Sequence, residues 1–292
     1  MSMNNKEDWI SAIIIDDSDD ELDDVKDNNT LKAINTKQQE EIEEIEEIEE
    51  VIEIIPINKK LKKKKIVEPL KYMFDADTTI IEIGIDEAGR GPMFGRVYAG
   101  VAVLPKDDVF DHSQMKDSKK FTSKKKIENV AEYIKENAIA WAVEYEDEET
   151  IDNINILQAT QSAMHKGIKN VIAQLSNNKE IDYDKILLLV DGNYFKPFSI
   201  LNKTKTKLEY IKCQMVEGGD NKYTSIAAAS ILAKVSRDKY IEELCIQNPE
   251  LIERYCIDSN KGYGSKKHME GIKKYGITKW HRKTFGICKQ FA

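Results

Sequence analysis

Residues 84–92 read GIDEAGRGP. Two neighbouring acids, Asp86 and Glu87, close the apolar run TTIIEIGI at 78–85. Gly89-Arg90-Gly91 follows, a loop that is nearly bare backbone around one arginine. The apolar run reads as a buried strand. In open α/β sheets chemistry collects beyond strand ends, where loops hold side chains on a rigid scaffold. The stretch therefore predicts an α/β fold with charge at the rim of its sheet.

The rest of the chain supplies that sheet. RVYAGVAVL (96–104) and AIAWAVEYE (138–146) read as a second and a third strand, rich in small and branched apolar residues. KILLLVDG (185–192) is a fourth, its unbroken apolar run typical of a strand buried on both faces. The alternating EYIKCQMV (209–216) is a fifth. Helices fall between and after them. Residues 124–138 carry Ile127, Val130 and Ile134 at helical spacing, with Ser123 as N-cap. INILQATQSAMHKGIKNVIAQL (154–175) and the Ala-rich TSIAAASILAKVSRDKYIEELC (224–245) are longer helices, and only helical or loop patterns follow, through PELIERYC and SKKHMEGIKKYG. The expectation is an α/β domain over residues 78–292 whose last part, 245–292, is a helical region.

Residues 1–77 have another character. The 292-residue chain carries a formal net charge of −8, but residues 1–69 hold 10 Lys against 20 Asp and Glu. The remaining 34 basic and 32 acidic residues leave the body near neutrality, so a polyanionic partner is compatible with it. DDSDDELDD (16–24) is an acidic block, and EEIEEIEEIEEVIEII (40–55) repeats Ile every third residue, too short a period to hold an apolar stripe on one helix face. NKKLKKKK (58–65) reads either as a nuclear localisation signal or nucleic-acid tether, or as lysines neutralising the acids beside them. WISAIIIDDSDD (9–20) reads as plain disorder or as a docking peptide for an unknown partner of residues 1–69. The whole of 1–77 is expected to be a disordered leader.

Cys213, Cys245, Cys256 and Cys288 form no C-x-x-C pair and no zinc spacing, which predicts reduced thiols and an intracellular chain. Cytoplasm is the expected compartment, with the nucleus open through the lysine run. No apolar run reaches about 18 residues, so no membrane span is expected. The N-terminus lacks the basic-then-apolar pattern of a secretory signal.

Four acids stand where strands end. Asp86 and Glu87 close the first strand, Asp191 the fourth in LLLVDGN, and Asp220 follows the fifth in VEGGDNKY. Taken singly, each reads first as a turn or cap residue, the Asp191-Gly192 pair above all. Gathered together, carboxylates repel and raise one another's pKa until some are protonated or a hard cation neutralises them. Oxygen ligands without His or Cys select Mg²⁺ or Mn²⁺ over zinc. Two such ions about 4 Å apart can activate a water, clamp a phosphate and stabilise a leaving oxygen. The loop beside two of the acids turns the set toward a ligand. Its glycines let backbone approach closely, their amides can bond a sugar hydroxyl or phosphate, and Arg90 adds a charge-assisted contact. That combination suits a nucleic acid.

The motifs, in order, resemble type 2 ribonuclease H, ribonuclease HII. GIDEAGRGPMFGRVYAGVAVL is similar to the family's opening signature, KDSKKFTSKKK (116–126) to its D-S-K-K-L segment, NINILQATQSAM to its first long helix and LVDGN to its third acidic position. GGDNKYTSIAAASILAKVSRD resembles the longest family block, KGYGSKKH the tyrosine motif and HRKTF (281–285) the closing motif. The resemblance covers residues 78–292 and leaves the leader out. It implies a mixed five-stranded sheet flanked by helices, with a C-terminal helical region. It implies a monomeric endonuclease that hydrolyses RNA in RNA–DNA hybrids, including single ribonucleotides embedded in duplex DNA, leaving 5′-phosphate ends. Two divalent ions, Mg²⁺ or Mn²⁺, are implied at Asp86, Glu87, Asp191 and Asp220, with Asp238 a competing acid that reads better as a structural or surface partner. Gly89, Arg90 and Gly91 map to the loop that reads the ribose 2′-OH, and Tyr263 to the tyrosine that stacks on the following deoxyribose. Lys119 and Lys120 are phosphate contacts or solvated surface. The related ribonuclease HIII family has a lysine-containing loop in place of Gly-Arg-Gly, which favours ribonuclease HII. None of His112, His165, His268 and His281 is assigned to catalysis; the last two lie in matched motifs and could order the C-terminal region.

Two other functions fit the same chain. One is a catalytically inactive hybrid-binding protein, which has no physical reason to keep four mutually repelling carboxylates. The other is an interaction protein acting through its leader.

Overall fold

The computed structural model describes residues 69–107, 109–177, 181–201 and 208–292. The lysine run, the acidic block and the Ile repeat lie outside the described residues. Strands β1 (Ile81–Ala88), β2 (Val97–Val103), β3 (Ala140–Glu146), β4 (Ile186–Asp191) and β7 (Lys212–Val216) make one sheet in the order β3-β2-β1-β4-β7. β5 (Ser199–Leu201) and β6 (Leu208–Tyr210) pair separately. β1 runs antiparallel to β2, and β2 to β3, while β4 is parallel to β1 and β7 to β4. The sheet is mixed and five-stranded, as the resemblance implied. Its parallel half brings the C-terminal ends of β1, β4 and β7 to one edge, and with them Asp86 and Glu87 near the end of β1, Asp191 at the end of β4 and Asp220 just after β7.

Helices cover both faces. α1 (Lys124–Asn137) starts at Ser123, whose hydroxyl accepts from the Lys126 amide. α2 (Glu148–Ser176) packs Ala163, Met164, Ile168 and Val171 onto Ile83, Ile85, Val101 and Val190. On the other face, α3 (Thr224–Gln247) joins α1 around Ala227, Ile231, Ile127 and Ile134. Its first ten residues are buried all round, which suits a run of alanines and small polar groups. The C-terminal region adds α4 (Glu250–Tyr255), α5 (Ile257–Asn260) and α6 (Lys266–Tyr275), whose Leu251, Tyr255, Ile257 and Ile272 share a core with Met93, Phe94 and Ile241. Among the described residues no helix is long and apolar enough to cross a membrane.

Three boundaries differ from the sequence reading. The fifth strand is two, because Ile211 turns into the core beside Phe198 and its amide bonds the Phe198 carbonyl, leaving 208–210 to β5 and 212–216 to β4. The second helix starts at Glu148 rather than 154, capped by Asp147. It breaks at Asn155 (φ 67°, ψ 163°), whose side chain accepts from the Gln158 amide and restarts it. The chain also engages the body before 78. Leu70 packs under α1 and α3, Lys71 exchanges backbone bonds with Lys222 and Thr224, and the amides of Phe74 and Asp75 both donate to the buried Glu82 carboxylate.

Candidate active site

A cleft of about 650 Å³ opens at the edge where β1, β4 and β7 end. Asp86, Glu87, Asp191, Asp220, Gly89, Arg90, Gly91, Lys119 and Tyr263 all line it. These nine residues expected from the sequence are brought to one place; Lys120 does not line the cleft, its Nζ turning to Asn221 beside it. Another hollow, about 440 Å³ at the other end of β1, is lined mainly by Ile81, Val103, Leu104 and Leu175, and its one acid, Glu82, is paired with Lys106 at 2.7 Å.

Asp86 is held there by a close helix–strand contact. α3 crosses β1 at Gly84, where an added Cβ would stand 2.2 Å from the Ser225 carbonyl carbon. This approach buries Asp86 to 5% exposure against Ser230 of α3. Burial raises its pKa well above the usual carboxylate range, and the negative charges of Glu87 and Asp191 raise it further, against the hydrogen bonds from Ser230 and the Glu87 amide. Burial also raises Glu87, partly offset by Arg90, whose Nη1 lies 3.2 Å from Oε1. Asp220, in the tight turn before α3, is raised by burial and then by Asp117 and Asp191. Asp191 accepts the Gly219 amide at 2.6 Å. Asn221 Nδ2 bridges Asp220 (2.9 Å) and Asp117 (3.2 Å), and its Oδ1 takes Lys120 Nζ.

Each acid thus leans on a protein donor, and among the described residues no three His, Cys, Asp or Glu side chains stand as a ready-made metal shell. The donor chemistry still fits a hard divalent cation. The set is all oxygen, and the ionic neighbours that perturb Asp86 are both negative.

The loop after β1 is fastened from behind. Gly89 has φ 94°, and a Cβ there would meet Arg237 Nε at 2.3 Å, so backbone conformation and space both demand glycine. The fully buried Arg282 donates to the carbonyls of Gly89 (2.7 Å), Arg90 (3.0 Å), Pro92 (2.7 Å) and Gly95 (2.8 Å). Arg237 donates to Phe94 (3.2 Å) and Lys261 (2.9 Å), and the Met93 amide to Gly262 (2.9 Å). These bonds tie the Gly-Arg-Gly loop to the loop carrying Tyr263, whose ring is half exposed and would lie 3.4 Å from a Cβ at Gly91.

The family model described as ribonuclease HII matches residues 83–288, the strands, acids, loop and closing region just described. The chain belongs to the ribonuclease HII family. The ribonuclease HII of Parabacteroides distasonis is 42% identical over 221 residues, 76% of this chain and 96% of that protein. That of Endomicrobium trichonymphae is 44% identical, covering 69% of this chain and 83% of that one. The crystal structure of ribonuclease H2 from Pyrococcus horikoshii OT3 superposes with a TM-score of 0.53 at 26% identity, over 73% of this chain and 97% of that one. As a ribonuclease HII the chain is a ribonuclease H enzyme, an endonuclease acting on RNA–DNA hybrids.

Sequence reading missed several residues of this ribonuclease HII cleft. Asp117, Ser118, Asn221, Ser230, Lys234 and Arg237 also line it. Asp117 sits in the same KDSKK motif as Lys119, and that adjacency was the available signal. Nothing local marks Arg237 or Arg282 as buried. Asp238 pairs with Lys234 at 2.7 Å, the structural role the sequence favoured.

Proposed function

We propose that this cleft binds RNA–DNA duplexes and cuts both long hybrids and single ribonucleotides embedded in duplex DNA. Asp86, Glu87, Asp191 and Asp220 would hold two divalent ions, Mg²⁺ or Mn²⁺. The observation carrying the reading is Asp86: a carboxylate 5% exposed, perturbed by two further acids and lining a cleft open to solvent. Such a group is either protonated or awaiting a cation. Bound there, the ions supply an activated water, a clamp on the scissile phosphate and a counter-charge for the leaving oxygen.

The chain's own residues place the substrate. Arg90 is exposed and reaches from Glu87 toward solvent, where its guanidinium can take a phosphate oxygen. Gly89–Gly91 present backbone to the ribose 2′-OH, the group that separates RNA from DNA at one site without regard to the base. Tyr263 stacks on the deoxyribose that follows. Lys119, exposed on the cleft wall, contacts phosphate. Every residue given a role here lies between Asp86 and Tyr263, within the described residues.

The test is cleavage of a duplex carrying one ribonucleotide, in Mg²⁺, Mn²⁺ or EDTA. Incision with either metal and none in EDTA is expected. Incision in EDTA would remove the metal assignment, and cleavage of long hybrids alone would remove the embedded-ribonucleotide activity.

A further inference from the structure

Two histidines outside this chemistry lie back to back in the C-terminal region. His268 on α6 is 0% exposed and His281 is 1% exposed, with their Nε2 atoms 3.1 Å apart. The surrounding donors fix where their protons sit. The Thr278 backbone N–H donates to Nδ1 of His281 at 3.0 Å, so that nitrogen carries no proton, and the neutral ring bears its proton on Nε2. That proton faces Nε2 of His268, which must accept it. His268 then keeps its own proton on Nδ1 and donates it to the Tyr263 carbonyl at 2.9 Å. A further proton on His268 would set two N–H groups against each other; on His281 it would face the Thr278 amide. Burial holds both rings neutral, lowering His268 and bringing His281 to about 3. The hydrogen bonds therefore run in one direction, from the Thr278 amide to Tyr263.

Their end point matters because Tyr263 sits at a junction. Immediately before it, Gly262 is fixed to Met93 and Lys261 to Arg237. Two residues after it, Ser265 caps α6 through the His268 amide. The Tyr263 carbonyl, which also accepts the Ser265 amide at 2.8 Å, lies between these two anchors, on the residue whose ring lines the cleft. We infer that His268 and His281 are positioning residues that aim Tyr263 at the sugar beyond the ribonucleotide, and so set the enzyme's preference for the RNA–DNA junction. The inference rests on the role proposed for Tyr263.

The experiment measures cleavage of a single embedded ribonucleotide and of a long hybrid by Tyr263→Ala, His268→Leu, the double variant and His268→Asn. His268→Leu is expected to slow the single-ribonucleotide reaction about five- to tenfold, the scale of one lost buried hydrogen bond, and the long-hybrid reaction less. Combined with Tyr263→Ala it should add no further loss, because it acts through the same ring. His268→Asn, which can place an amide N–H near the Nδ1 position, should recover most of the preference. Equal losses on the two substrates for His268→Leu, or losses that multiply with those of Tyr263→Ala, would overturn the positioning role while leaving Tyr263 in place. Equal losses for Tyr263→Ala itself would remove the reading of Tyr263 and the inference with it. Should His268→Leu fail to fold, His281→Asn carries the same test, since it keeps an acceptor for Thr278 but cannot reach His268.

Discussion

The Gly89–Pro92 loop has buried charge on both sides, and the two sides are opposites. Behind it, Arg282 is enclosed and its pKa is brought down to about 9 by burial and then by the like charge of Arg237, yet its three nitrogens find four carbonyls. In front, Asp86 is as deeply enclosed, and the ionic charges perturbing it are two more acids. A buried charge whose hydrogen bonds are complete is scaffold. One left beside like charges stores unfavourable energy that a ligand of opposite sign releases. The contrast separates what holds this site from what works in it, and substitutions on the two sides should move stability in opposite directions.

The largest effect belongs to the front. Asp191→Asn and Asp86→Asn keep size and remove a charge, so cleavage at saturating Mg²⁺ should fall about a thousandfold or more, roughly 4 kcal/mol of barrier. Without metal, Asp86→Asn should unfold no more easily than the parent. Ordinary turnover by Asp191→Asn would break the assignment. On the back, Arg282→Met leaves four carbonyls without their donor, and denaturant unfolding should show a loss of about 3–5 kcal/mol. A loss below about 1 kcal/mol would mean the loop holds its shape without the arginine.

A smaller effect sharpens the contrast through pH. Burial raises the folded-state pKa values of Asp86, Glu87 and Asp220 above their unfolded values. Between the two values the folded chain holds protons that the unfolded chain has released, so metal-free stability falls as pH rises from the ordinary carboxylate range, about 4, through the raised values. Added Mg²⁺ or Mn²⁺ should therefore raise Tm more near neutrality than at about pH 5. Equal gains at both would show that the front acids are not mutually destabilised. Smallest is Lys119→Ala, a single exposed charge. It should weaken binding of both substrates alike and reduce the salt slope by about one; an unchanged slope would place Lys119 away from phosphate.

The front of the site was legible because its groups are local to strand ends. An acid pair closing an apolar run, followed by Gly-Arg-Gly, states its position within nine residues. The back was not legible. Arg282 is buried by carbonyls nearly two hundred positions earlier in the chain, and arginines of that composition are ordinarily exposed. The pairing of His268 with His281, only thirteen positions apart, was hidden for another reason: no local spacing rule brings a residue of α6 against one beyond its end, although both were read as residues that could order the C-terminal region. In the fold, apolar periodicity found the strands but not the break at Ile211, which tertiary packing imposes on an alternating run. Residues 70–77 escaped because what ties them down is mainly backbone and the Glu82 carboxylate rather than a repeating apolar pattern.

The contact at Gly84 makes α3 a ruler laid along β1. Ser225 meets position 84, Ser230 meets Asp86 and Arg237 meets position 89. The intervals on the strand side are two and three residues, on the helix five and seven. At about 3.3 Å per strand residue and 1.5 Å per helix residue these are nearly equal lengths, roughly 7 against 7.5 Å and 10 against 10.5 Å. The graduations of the two elements agree, so one helix sets Asp86 and the Gly89–Gly91 loop on a common scale. One residue inserted between Ser230 and Arg237 would turn everything beyond it by about 100°. It would carry Arg237 off the loop while leaving Ser230 on Asp86, and the acid and the loop would lose their spacing although neither had been touched.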